Sequence, residues 1–111
     1  MENKPELWEI LVPSTKPLTL PGKKRHFSVR YHRLWDAKII AIAKGLTVLQ
    51  PNKGSWLSPR GELCNDRVIP VRISCTKDQI QEIMDITAKH YCQQAVMAYK
   101  VSDEVIIKHY S

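Results

Sequence analysis

The junction at residues 68–80 constrains this chain more than any other stretch. Residues 68–75 alternate strictly, with Ile69, Val71, Ile73 and Cys75 on one side and Val68, Pro70, Arg72 and Ser74 on the other. That is the period of a strand with one buried face. Thr76-Lys77-Asp78-Gln79 follows at once. Threonine at an N-cap with glutamine three residues on is a capping box, so the strand runs directly into a helix. The helix carries Ile80, Ile83, Met84, Thr87 and Tyr91 on one face, with Lys77, Gln81, Asp85 and Lys89 outward. Pro70 has no N–H for a ladder, which predicts that the strand is at an edge or bulged near its start.

The remaining elements arrange themselves around this unit. Residues 7–12 (LWEILV), between Pro5 and Pro13, read as a first strand. Pro13, Pro17, Pro21 and Gly22 then predict a basic, proline-rich loop over residues 13–27. Ser28 is placed to cap a helix running to Lys44, with Tyr31, Leu34, Trp35, Ile39, Ile42 and Ala43 as its apolar stripe and Gly45 as its stop. Leu46 and Val48 begin a second strand, ended by Gln50-Pro51-Asn52. Residues 54–57 and 62–64 face each other across Ser58-Pro59-Arg60-Gly61, which fits a type I turn. Asn65-Asp66 is a further break. Residues 95–101 supply a fourth core strand and residues 104–110 a last one.

Strand, helix, strand, strand, helix, strand is the ferredoxin-like α+β order: an antiparallel sheet with two helices on one face, here with an extra C-terminal strand. The chain is read as one domain, residues 1–111. The sheet's other face needs a cover, which predicts a homo-oligomer.

Composition narrows the chemistry. No apolar run approaches the roughly 18 residues of a membrane span, and the N-terminus lacks the basic region of a signal peptide. A cytoplasmic protein without a membrane partner is expected. Three cysteines without a CxxC and four histidines without ligand spacing predict no disulfide, no metal and no cofactor. There is no P-loop, no GxGxxG and no nucleophile elbow. The net charge is +6, and between Glu9 and Asp36 six basic residues stand with no acid. Such a block is either a solvated face or an attractor of anions, whether phosphate, nucleotide or nucleic acid.

Seven residues are singled out as candidates. Glu62, at the hairpin end beside Arg60 and Arg67, is the catalytic candidate, as a base or a stabiliser of a cation; its alternative is an exposed turn charge. His32 and Arg33 open the first helix just after Arg25, where free N–H groups and the dipole favour anions. Trp56 either stacks on a ligand base or covers the sheet. Arg72 projects from the face opposite Val71 and Ile73 and needs a partner there, as an anion ligand or an intersubunit ion pair. Tyr99, with Trp56, is the aromatic that a nucleic-acid-reading sheet would use.

The runs Gly45-Leu46-Thr47-Val48, Gly54-Ser55-Trp56 and Gln94-Ala95-Val96 resemble an uncharacterised family of small bacterial ferredoxin-like domains, over roughly residues 32–107. More loosely, residues 71–75, the helix after them and residues 92–100 (CQQAVMAYK) are similar to the phage S-adenosylmethionine lyases. That likeness implies a PII-like trimer with adenosyl ligands held between subunits. The lyases carry an acid in a Gly-x-Tyr-Arg-Glu hairpin; here Leu57 and Ser58 follow Trp56, and the nearest acid is Glu62. The expected function is a small anionic, nucleotide-like ligand bound between subunits of a phage or mobile-element protein. The alternatives are an S-adenosylmethionine lyase and a nucleic-acid-binding protein.

Overall fold

A computed structural model describes residues 4–16 and 25–111, the side chains of Cys64 and Asp66 excepted. Its elements are β1 (Glu6–Pro13), α1 (Val29–Ala43), β2 (Thr47–Val48), β3 (Asn52–Leu57), β4 (Leu63–Cys75), α2 (Lys77–Tyr91) and β5 (Ala98–Ser102). The antiparallel sheet has the order β2-β4-β1-β5, and β3 continues alongside β4. This is the ferredoxin-like α+β arrangement expected from the sequence.

The predicted strand-to-helix junction is present in full. Thr76 Oγ1 accepts from the Gln79 N–H at 3.2 Å, and the Gln79 side chain accepts from the Thr76 N–H at 2.9 Å. Cys75 and Ile80 are both buried beside the box. Ser28 caps α1, accepting from Tyr31. Gly45 is not the stop: Lys44 itself turns left-handed, at φ 70°, and its N–H returns to the Ile40 carbonyl.

Ile10 and Val12 of β1 and Val71, Ile73 and Cys75 of β4 form the sheet side of the core. Trp35 and Ile39 of α1 and Ile80, Ile83 and Tyr91 of α2 close it from above. Leu34, placed in the apolar stripe by spacing, is half exposed. His90 is buried, which the spacing did not suggest.

Pro70 is not at an edge. β4 pairs with β1 along one side and with β2 and β3 along the other, so it is central. The proline is accommodated because β2 and β3 act as one strand carrying a bulge. Thr47 pairs with Arg72 and Asn52 with Val68, which leaves one residue too many between them. The Pro70 carbonyl accepts from Leu49 on that side, so the nitrogen that lacks a proton faces the bulge as well.

Three further boundaries differ from expectation. β4 runs unbroken through Asn65 and Asp66, because β3 pairs with it along the whole stretch. The turn holds as predicted, with the Gly61 N–H on the Ser58 carbonyl at 2.8 Å. The fourth core strand begins only at Ala98. Residues 104–111 form no strand and pair with none of the described strands; Ile106, Ile107 and Tyr110 are exposed. Of the expected loop 13–27, residues 17–24 lie outside the described part. Its two ends are tied by a bridge between Thr15 and His26 and by Phe27 donating to Ser14.

Candidate functional site

On the sheet face away from the helices, four adjacent strands contribute one residue each to a single transverse row. Thr47 of β2 stands opposite Arg72 of β4, Arg72 opposite Glu9 of β1, and Glu9 opposite Tyr99 of β5. Alternation fixes their orientation: Ile10, Val71 and Ile73 point into the core, so Glu9 and Arg72 point out of it.

Glu9 is nearly buried, at 6 % exposure, although no helix covers this face. Each carboxylate oxygen has its own donor. Arg72 Nε donates to Oε1 at 3.0 Å, and the Tyr99 hydroxyl donates to Oε2. A shielded carboxylate is tolerated only when paired and hydrogen-bonded, and this one is both. Neither Nη atom of Arg72 hydrogen-bonds to a described residue. The guanidinium is therefore held by one nitrogen and free at its fork. Leu7 and Leu11, two residues either side of Glu9, and Val101, two beyond Tyr99, give the row an apolar surround.

The other candidates lie elsewhere. Arg25 donates to the Lys16 carbonyl and pins the base of the loop. His32 turns inward, its Nδ1 2.7 Å from the Tyr91 hydroxyl. The amides of Tyr31 and His32 are bonded to the Ser28 carbonyl, so the start of α1 offers few free donors. Arg33 is exposed beside it. Trp56 and Glu62 sit on the arm formed by β3 and the first residues of β4, which extends past the end of β1; both are exposed. Arg72 and Tyr99 are thus the two candidates that the fold brings together, and they meet on Glu9. A strand over residues 7–12 puts Glu9 on the face opposite Trp8, Ile10 and Val12, but its partners follow only from the register.

On the helix side, aromatic rings join α1 to α2. Phe27 stacks on Tyr31 at 5.2 Å and meets Tyr91 edge-on at 4.9 Å. His90 Nε2 lies 2.9 Å from the Tyr31 carbonyl, which only accepts, so Nε2 carries the hydrogen and Nδ1 accepts from Lys38 at 3.2 Å. Burial lowers the pKa of His32, against the pull of Asp36, and raises that of Tyr91. Among the described residues no group of three or more His, Cys, Asp or Glu is placed to hold a metal, and no helix is long and apolar enough to cross a membrane.

No family model matches the chain, and no curated protein matches it. Solved structures do. The periplasmic divalent cation tolerance protein CutA from Archaeoglobus fulgidus is similar with a TM-score of 0.63 at 10% identity, over 94% of this chain and 88% of its own. The divalent cation tolerance protein of Thermus thermophilus gives 0.61 at 11% identity, over 96% and 87%. A phage SAM lyase in complex with S-methyl-5'-thioadenosine gives 0.59 at 14% identity, over 96% of both chains. At such identities the likeness is one of fold, the PII-like form of the ferredoxin-like class.

Proposed function

We propose that the chain is an oligomeric PII-like domain, a trimer by preference, that binds a small anionic, nucleotide-like ligand on the open sheet face. A neighbouring copy closes the cleft. The observation that carries this reading is the free fork of Arg72. Glu9 fixes the side chain through Nε, so little rotamer freedom remains to be lost when Nη1 and Nη2 take a phosphate or carboxylate. Tyr99, its hydroxyl held by Glu9 and its side chain 40% exposed, offers a ring for a base to stack on. The net charge of +6 raises the local concentration of anions. Calorimetric titration with AMP and ATP tests it. Arg72→Ala should weaken binding about tenfold or more, and equal affinity in both proteins would overturn the reading.

A second reading, S-adenosylmethionine lyase, is favoured by Glu9. It is an acid on the open sheet face, whereas Glu62 of the hairpin sits on the exposed arm, and the phage lyase is similar over 96% of both chains. Arg72 already neutralises that carboxylate, which works against holding a sulfonium cation. Accumulation of methylthioadenosine from S-adenosylmethionine would put this reading first.

A further inference from the structure

Along the seam of the two helices lies an open groove of about 600 Å³, lined by Tyr31, Lys38, Ile86, Lys89 and His90. Lys38 enters it from α1 and Lys89 from α2, so two ammonium groups share one groove. None of the acids of these helices, Asp36, Asp78, Glu82 or Asp85, lines it, and neither lysine forms an ion pair with a described residue. Like charges gathered without a counter-charge repel, and an anion between them relieves that repulsion. Lys38 is held in place: its Nζ donates to His90 Nδ1 at 3.2 Å, and His90 is 8 % exposed, with Nε2 on the Tyr31 carbonyl. A neutral acceptor thus positions the ammonium without cancelling its charge. Lys89 stands in the last turn of α2, but the carbonyls there have other donors. Ala88 accepts from the N–H groups of Cys92 and Gln93, His90 from the Tyr31 hydroxyl, and Tyr91 from the Gln93 side chain.

We propose that this groove is a second binding site, independent of the sheet face, for a dianionic phosphate group. Two positive charges with no internal counter-charge match a dianion. Each ammonium has N–H groups to give its oxygens, and such charge-assisted bonds are the strong ones. The half-buried side chains of Tyr31 and Ile86 form the wall beside the lysines, and the groove has room beyond one phosphate. It therefore admits the phosphate either free or as the end of a small phosphomonoester.

Inorganic phosphate, phenyl phosphate and acetate are the probes, titrated into the full chain at constant ionic strength and slightly alkaline pH. Backbone amide shifts locate the binding. Both phosphates should shift the amides of Lys38, Lys89 and His90 saturably, and acetate, a monoanion, should bind about tenfold or more weakly. Lys38→Gln and Lys89→Gln should each weaken the phosphates about tenfold. Arg72→Ala, on the sheet face, should leave these shifts unchanged, so failure of the nucleotide reading and failure of this one are distinguishable. Tighter binding of phenyl phosphate assigns the site to a phosphomonoester, and equal affinity assigns it to the free ion. Acetate binding as tightly, affinity unchanged in both lysine variants, or no saturable shift at these residues would each overturn the proposal.

Discussion

Glu9 and Arg72 face each other directly across β1 and β4, with Nε 3.0 Å from Oε1. The two differ in environment: the Glu9 side chain is 8% exposed and that of Arg72 is 44%. Removing the arginine therefore costs more than an exposed ion pair contributes, because it leaves a shielded carboxylate with Tyr99 as its remaining donor. Arg72→Met should lower stability by about 1–3 kcal/mol, measured as the shift of the urea midpoint. Adding Glu9→Gln should recover part of the loss, since the stranded charge is then gone.

Trp35 and Thr87 form the buried polar link between the two helices. The indole Nε1 donates to Thr87 Oγ1 at 2.9 Å, and that hydroxyl donates to the Ile83 carbonyl at 2.6 Å. Thr87→Val keeps the shape but leaves a buried N–H without an acceptor. A loss of about 1–3 kcal/mol follows, with a changed near-ultraviolet signal from Trp35.

His32 makes the acid side of the stability curve predictable. Its folded pKa lies below the ordinary 6.5, so the unfolded chain takes up a proton first. The stability is fully present above pH 6.5 and falls as pH drops from there toward the folded value. Asp36 acts in the opposite sense at lower pH: its raised carboxyl favours the folded state as it protonates. His32→Gln should flatten the curve just below pH 6.5, measured by denaturation midpoints across the acid range.

The alkaline side belongs to Cys75 and Tyr91. Burial pushes the Cys75 thiol from 9.0 up to about 11, and the Tyr91 hydroxyl is also raised. The unfolded chain ionises first, so stability falls as pH rises above 9.0. Replacing Cys75 with alanine should lower the starting stability but reduce the slope between pH 9 and 11. An unchanged slope would assign the loss to the tyrosines, Tyr91 and Tyr31, whose hydroxyls burial also raises.

The fold was legible where local signals agreed. Strict alternation over residues 68–75 followed by a capping box leaves one solution, and both helices carried caps and apolar faces. The departures came where pairing overrode local preference. Asn65-Asp66 breaks a strand in isolation, but β3 supplies it a complete ladder. Pro70 suggests an edge or a bulge; the strand is central, and the bulge lies in the partner strand opposite it, where it absorbs the missing N–H. Residues 104–110 carry the apolar run Val105-Ile106-Ile107 and read as a strand, yet they pair with no described strand. The sequence put Arg72 on the open face and required a partner for it. Naming Glu9 as that partner needed the register between β1 and β4, which no local pattern encodes.

Whether Arg72 holds a ligand between subunits is read from native mass spectrometry of freshly purified wild-type protein and Arg72→Ala. The wild type should appear as an oligomer carrying extra bound mass, and the variant as the same oligomer without that mass. A bare monomer in both would contradict it, because neither the closing copy nor the ligand would then exist.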